Sequence, residues 1–170
     1  MDVSALVRAE LARHHWAALP CGCGESADHL RELFESELGP DAAGLRISHA
    51  FEGHIERNGR LFPCSPPSVA VLIAALAAGV PDGARSDILD TFWYLSSAEF
   101  PADLLEQCLT LFREGLWTLL QAGLTGTAGD AETVADICEQ LDPDRERAAY
   151  YRHLLQDRVR LRTKRRKPVW

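Results

Sequence analysis

The chain has 170 residues, of which 46% are hydrophobic and 25% charged, with a formal net charge of −7. This length and composition are those of one ordinary soluble globular domain that is long enough to bury a core. The five cysteines are an odd number, which favours reduced thiols over a disulfide framework. Residues 1–19 contain charges and lack the apolar run of a signal peptide, so a cytoplasmic location is expected.

The charge is unevenly distributed along the chain. Seven basic residues lie between Arg158 and Lys167, which leaves 11 basic and 25 acidic residues elsewhere. We therefore divide the chain into an acidic domain (1–161) and a basic C-terminal tail (162–170). An acidic body favours a protein partner with a basic surface, and nucleic acid is expected to bind only through the tail, which could instead fold back onto the body.

Apolar residues recur at helical spacing in eight segments that Gly or Pro separates. The first predicted helix runs to Leu19, and Ser26 and Asp41 cap the second and third, the latter with Ala43, Ile47, Phe51 and Ile55 on one face. After the Asn58-Gly59 turn, the short piece Arg60–Phe62 is extended. Asp82 begins the fifth helix. The sixth has an apolar stripe from Leu105 to Leu120, and breaks at Gly123 and Gly126 follow it. The seventh predicted helix has its apolar positions between Val134 and Leu141, and the eighth has them between Ala148 and Leu155.

The fourth predicted helix is apolar on every face. Ser65 is its expected N-cap, Pro66 its first helical residue, and Gly79 its stop. Residues 69–78 carry no polar side chain, so the helix has to be covered by protein on several sides. It is too short to cross a bilayer, which takes about 20 apolar residues.

These elements predict an all-α fold, because no segment keeps the alternation of a half-buried strand. Breaks at Gly39, Gly79 and Gly123 lie 40 and 44 residues apart, within the period of about 40 to 47 residues of two-helix repeats. We expect a short right-handed α-α superhelix of about three helical pairs between capping helices. A compact, non-repeating helical bundle is the alternative.

Residues 59–72 read GRLFPCSPPSVAVL. Three segments resemble bacterial HEAT-like (armadillo-type) repeat proteins: this run, the predicted helix ending in His54, and the Trp16–Cys23 segment before Ser26. In those proteins a His-Gln-Gly-like turn leads into a helix beginning with Ala or Pro. The resemblance covers Trp16 to about Leu95 and departs at residues 55–58, where extra residues separate His54 from Gly59. It implies a curved helical-repeat scaffold, in a group where some members look like toxin-neutralising or complex-assembling proteins.

Potential metal ligands cluster near the N-terminus: Cys21, Cys23, His14, His15 and His29. The Cys-x-Cys spacing is tighter than the gap of two to four residues that zinc sites commonly use. We interpret these residues as loop thiols and surface histidines, with zinc binding as the alternative, and assign no metal ligand and no cofactor.

Polar and aromatic residues on the second helix of each predicted pair are candidates for one acidic groove, because these helices line the concave side of HEAT-like solenoids. His49 and His54 are separated by about 140° around a helix, which excludes a His-Glu metalloprotease site. An outward aromatic pair beside carboxylates is typical of a recognition surface. The predicted partner-binding residues are Arg46, His49, Glu52, Glu56, Asp90, Trp93, Tyr94, Asp136 and Glu139.

The sequence contains no phosphate-binding glycine loop, nucleophile turn or Asp-rich magnesium motif. The leading hypothesis is a non-enzymatic protein-protein interaction module, either an immunity protein to a secreted toxin or an assembly scaffold. The alternative is an enzyme or small-molecule-binding protein with a pocket between the third and fifth helices that uses His49, Glu52, Asp90 and Tyr94.

Overall fold

The computed structural model describes residues 3–39 and 47–165. Nine α-helices, one 3-10 turn (Trp16–Ala18) and an antiparallel hairpin of β1 (Glu56–Arg57) and β2 (Arg60–Leu61) account for the secondary structure of these residues. The helices are α1 (Ala5–Arg13), α2 (Asp28–Glu37), α3 (Ile47–Phe51), α4 (Ser65–Ala78), α5 (Asp82–Ser96), α6 (Ala102–Glu114), α7 (Leu116–Thr125), α8 (Ala128–Leu141) and α9 (Arg145–Arg165). The prediction of an all-α class is confirmed. Within these ranges, no helix combines the length and apolarity needed to span a membrane.

Helix α4 is surrounded by other helices, as its apolar faces predicted. It packs against α1, α5, α6 and α7, and Val69, Val71 and Leu72 are fully buried. Its N-cap is Cys64 and not Ser65. Ser65 instead accepts a hydrogen bond from the Phe62 N–H at 2.8 Å and donates one to the carbonyl of Ile55. Ser65 therefore holds the β hairpin against the start of α4.

Eight of the nine helices in the described residues form two rows of neighbours, and α2 packs against the 3-10 turn and α3. In the first row α1 contacts α4, α4 contacts α6 and α7, and α7 contacts α9. In the second row α3 contacts α5, and α5 contacts α8. Contacts of α4 with α5, and of α8 with α7 and α9, join the rows. The core therefore lies between two layers of helices.

The predicted sixth helix is two helices in the structure. Gly115 separates α6 from α7 at a point where an added Cβ would lie 2.9 Å from the Ile73 side chain of α4, and glycine is a poor helix former. The prediction that Gly123 ends a helix is wrong. Gly123 lies inside α7, where its missing side chain admits Val134 of α8 and Leu155 of α9, and the break before α8 falls at Gly126.

Several predicted helix boundaries also shift. Helix α1 ends at Arg13, since the Trp16 indole folds back and donates to the carbonyl of Leu11 at 2.8 Å. The N-cap of α2 is Ala27 rather than Ser26, whose carbonyl accepts from His29 instead. The predicted start of the third helix, Asp41 and Ala43, lies outside the described residues. Helix α9 continues to Arg165.

Candidate functional site

A cavity of about 360 Å³ opens between α3, the turn that follows it and α5. Its floor is apolar, because Phe51, Ile55 and Leu95 line it and are each no more than 2% exposed. Its rim is polar and brings together five of the nine predicted partner-binding residues: His49, Glu52, Glu56, Asp90 and Tyr94. We call this the α3–α5 cavity.

Hydrogen bonds fix the two walls of the α3–α5 cavity. The backbone N–H of Ile47 donates to the Asp87 carboxylate of α5 at 3.0 Å, which satisfies one free donor in the first turn of α3. The Glu56 carboxylate accepts from the Gly59 N–H at 2.6 Å, so the hairpin turn orients it. Asn58 and Gly59 both have positive φ, as the predicted turn requires.

The rim is negatively charged and open to solvent. Glu52, Glu56 and Asp90 contribute three carboxylates, and Glu52 and Asp90 are exposed. The Oε2 atom of Glu52 lies 3.4 Å from Nδ1 of His49, yet 75% of the Glu52 side chain and 66% of the His49 side chain remain exposed. A cationic group that enters the cavity can therefore approach several carboxylates at once.

Two aromatic side chains stand beside the carboxylates on α5. Tyr94 is 55% exposed and lines the cavity, whereas Trp93 is 41% exposed and lies next to it. The two rings meet edge to face with 5.3 Å between their centroids. Large exposed aromatics of this kind supply much of the binding energy at protein interfaces.

The other predicted groove residues lie elsewhere. Arg46 falls outside the described residues. Asp136 is exposed on α8, and the Glu139 carboxylate is paired with Arg152 of α9 in a separate cavity. Neither Asp136 nor Glu139 lines the α3–α5 cavity. The structure therefore groups Glu52 and Glu56, which follow α3, with Asp90 of α5 and leaves the carboxylates of α8 apart.

A second cluster of reactive side chains lies where the loop after α1 meets the turn after α3. It consists of Cys21, Cys23, His29 and His54, whose nearest ligand atoms all lie within 4.8 Å of one another. Nε2 of His29 is 3.0 Å from Nδ1 of His54. The Cys21 sulfur is 3.3 Å from Nδ1 of His54 and 3.8 Å from Nε2 of His29, and the Cys23 sulfur is 4.0 Å from Nε2 of His29. We call this the Cys-His cluster.

The loop that carries the two cysteines is shaped to reach His54. Pro20 pairs with Ser26 across the loop, and the Cys21 N–H donates to the carbonyl of Glu25 at 2.9 Å. The Gly22 N–H then donates to the carbonyl of His54 at 2.8 Å. The loop therefore closes on itself and docks on the turn by its backbone.

Sequence reasoning missed His54, which is 33 residues from Cys21. No local spacing connects them, since the contact depends on two loops meeting. The other two histidines that the sequence grouped with Cys21 and Cys23 lie outside the cluster: His14 pairs with Glu10 at 3.1 Å, and His15 is exposed.

Burial shifts the pKa of Cys21 and of His54 in the Cys-His cluster. It raises the pKa of Cys21, and it raises the pKa of the adjacent Cys64 thiol to about 12. Burial, and then the charge of nearby His29, lower the pKa of His54. At neutral pH, Cys21 and Cys64 are thus thiols and His54 is a neutral imidazole when no ion is bound.

Comparisons of the chain with protein-family models, curated proteins and solved structures found no match. The resemblance to HEAT-like repeat proteins therefore rests on the residues quoted above. Function has to be argued from the α3–α5 cavity and the Cys-His cluster themselves.

Proposed function

We propose that this chain is a non-enzymatic interaction module that binds a protein partner with a basic surface in the α3–α5 cavity. The observation that carries the proposal is the convergence of three carboxylates, Glu52, Glu56 and Asp90, around an apolar floor. A lysine or arginine side chain fits this arrangement, because its apolar stem can lie on the floor while its charge meets the carboxylates.

The scaffold in this proposal is a short HEAT-like α-α superhelix. Packing of eight of the described helices on their neighbours within two rows supports it, since repeat proteins are built from nearest-neighbour contacts. A scaffold of this kind, together with the resemblance in residues 16–95, favours two kinds of partner. One is a toxin that the chain neutralises, and the other is a subunit of an assembled complex.

The open rim favours a protein over a small molecule. Ligand pockets for small molecules bury most of the ligand surface, whereas His49, Glu52 and Tyr94 are each more than half exposed. The volume of the cavity, about 360 Å³, is nevertheless in the range that small ligands occupy. A small molecule that co-purifies with the chain and is released on denaturation would support the enzyme or small-molecule alternative.

Charge reversal in the cavity is expected to weaken partner binding. The partner is first recovered by pull-down from the native host at low salt, and its affinity is then measured by calorimetry. Asp90→Lys should reduce this affinity about tenfold or more, because it places a cation among groups that recognise one. Affinity for the wild-type chain should also fall as ionic strength rises, since exposed charges are screened.

The matched control is Glu114→Lys, which makes the same charge change on α6 in the first row of helices, where Glu114 is exposed. It should leave the affinity within about twofold of wild type, because Glu114 does not line the α3–α5 cavity and interactions between exposed charges are screened by salt. Equal losses for Asp90→Lys and Glu114→Lys would show that net charge alone matters. Recovery of no stoichiometric protein would contradict the proposal.

A further inference from the structure

We propose that the Cys-His cluster is a structural zinc site in which Cys21, Cys23, His29 and His54 hold one Zn²⁺. With Zn–S bonds near 2.3 Å and Zn–N bonds near 2.0 Å, tetrahedral geometry separates the ligand atoms by about 3.3 to 3.8 Å. The separations given above run from 3.0 to 4.0 Å, and all ligand atoms lie within 4.8 Å of one another. Two sulfurs and two imidazole nitrogens are a ligand set that structural zinc sites use.

The tautomer of His29 is already set for metal binding. Nδ1 of His29 lies 2.9 Å from the carbonyl oxygen of Ser26, to which it can only donate. In a neutral imidazole the proton on Nδ1 leaves a lone pair on Nε2, and Nε2 is the atom that faces the cluster. Metal-binding histidines are commonly oriented by such a bond from the second ring nitrogen to a carbonyl.

The surroundings of Cys21 and His54 hold the two residues in place. Cys21 is buried and Cys64 is fully buried beside it, and the Cys64 thiol donates to the carbonyl of His54 at 3.4 Å. On zinc binding, Cys21 and Cys23 each lose a proton to solvent as their sulfurs bond to the ion. The two thiolates then balance the two charges of Zn²⁺.

The Cys-x-Cys spacing is accommodated by glycine. Gly22 has no side chain to keep the loop away from the turn, and Gly24 adopts φ +93° just after Cys23. Both cysteine sulfurs consequently lie within 4.0 Å of the same His29 nitrogen. The spacing that argued against zinc in the sequence is therefore compatible with two ligands from one tight loop.

Four protein ligands leave no open position on the ion, which indicates a structural role rather than a catalytic one. The site would tie the loop of residues 20–26 to the turn of residues 51–56. That turn also carries Glu52 and Glu56 on the rim of the α3–α5 cavity. The inference does not depend on the proposed function, since it concerns what holds the turn and not what the cavity binds.

The test is the metal content of the full chain, purified under reducing conditions without chelators. We expect about one zinc per chain. After exchange with Co²⁺, the visible spectrum should show the intense d–d bands of tetrahedral cobalt together with thiolate-to-metal charge transfer in the near ultraviolet. Less than about a tenth of an equivalent of zinc, with no such spectrum on adding Co²⁺, would overturn the inference.

Two variants and one control assign the ligands. Cys23→Ser and His29→Gln should lose the cobalt spectrum, and Cys23 is exposed, so its replacement removes no core packing. His15→Ala, at an exposed histidine outside the cluster, should keep the metal. Circular dichroism checks that each variant is folded. Full metal content in folded Cys23→Ser and His29→Gln would show that the ion binds elsewhere.

Discussion

Gly22→Ala is expected to separate the cysteine loop from the His54 turn. A Cβ at residue 22 would lie 2.3 Å from the carbonyl oxygen of Gly53, 2.6 Å from a ring carbon of Phe62 and 2.9 Å from the carbonyl oxygen of His54. Two of these three atoms belong to the backbone and cannot rotate away. The loop has to withdraw, and the hydrogen bond from the Gly22 N–H to His54 is then lost.

The expected result has two parts. Zinc affinity should fall by about 10- to 100-fold or more, as it does when groups that orient metal ligands by hydrogen bonds are replaced. The free energy of unfolding should fall by about 1 to 3 kcal/mol, as overpacking typically costs. Metal competition with a chromophoric chelator and urea denaturation of the metal-free chain measure the two effects separately.

Gly83→Ala is the control for this substitution. Gly83 lies in α5 with no atom within 4 Å of an added Cβ, so alanine there should be neutral or stabilise the chain by up to about 1 kcal/mol. If Gly22→Ala behaved like Gly83→Ala in both measurements, the close docking of loop and turn would be wrong.

Among the substitutions proposed here, Asp130→Ala is expected to lower the free energy of unfolding the most. Asp130 is 2% exposed and joins α8 to α5, accepting hydrogen bonds from Ser86 at 2.5 Å and from Arg85 at 3.2 Å. It also forms the capping box of α8 with Thr127, whose N–H donates to Asp130 at 2.7 Å. Removing the carboxylate leaves the Thr127 N–H without its acceptor and removes the buried partner of Arg85, and breaking a buried ion pair in this way costs about 3 kcal/mol.

Asp82→Ala provides a matched comparison, since Asp82 pairs with the same Arg85 at 2.7 Å but its side chain is 82% exposed. Loss of this surface pair in the first turn of α5 should cost less than about 1 kcal/mol. Urea denaturation at pH 7 measures both variants. Similar values for the two would contradict a buried network at Asp130.

The contribution of Asp130 should also depend on pH. Burial by itself raises the pKa of Asp130, but hydrogen bonds from Ser86, Thr127 and Arg85 outweigh it and hold the pKa below its usual value. The carboxylate therefore stabilises the fold above the unfolded pKa of about 3.9 and loses this effect as the pH falls through the folded pKa. The difference in stability between wild type and Asp130→Ala should shrink as the pH is lowered below about 4.

The sequence predicted the helices well where burial follows a regular period. The continuous apolar run of α4 predicted a helix covered on several sides, and Gly79 ends it as expected. Breaks that depend on contacts between helices were harder to place. Gly115 and Gly123 look alike in the sequence. Gly115 separates two helices where Ile73 approaches the backbone, whereas Gly123 lies inside a helix where Val134 packs against it.

The α3–α5 cavity was partly predictable. The spacing of His49 and Glu52 on the predicted third helix, and of Asp90 and Tyr94 on α5, puts each pair on one face, although α3 ends at Phe51 and Glu52 lies just after it. That the two faces meet depends on packing in the second row, and the same packing leaves Asp136 and Glu139 outside the cavity. The contact of His54 with Cys21 is of the same kind. It depends on a loop closed by Pro20 and Ser26, which no periodicity reveals.

Recognition of a basic partner by the α3–α5 cavity can be observed directly by nuclear magnetic resonance. The ¹⁵N-labelled chain is titrated with a short unstructured peptide rich in lysine and arginine, and backbone amide shifts are followed. If the cavity binds basic side chains, we expect the largest changes within residues 47–56 and 87–95, and we expect them to disappear in Asp90→Lys. Changes centred on α6, α8 or α9, or changes that persist in Asp90→Lys, would contradict it.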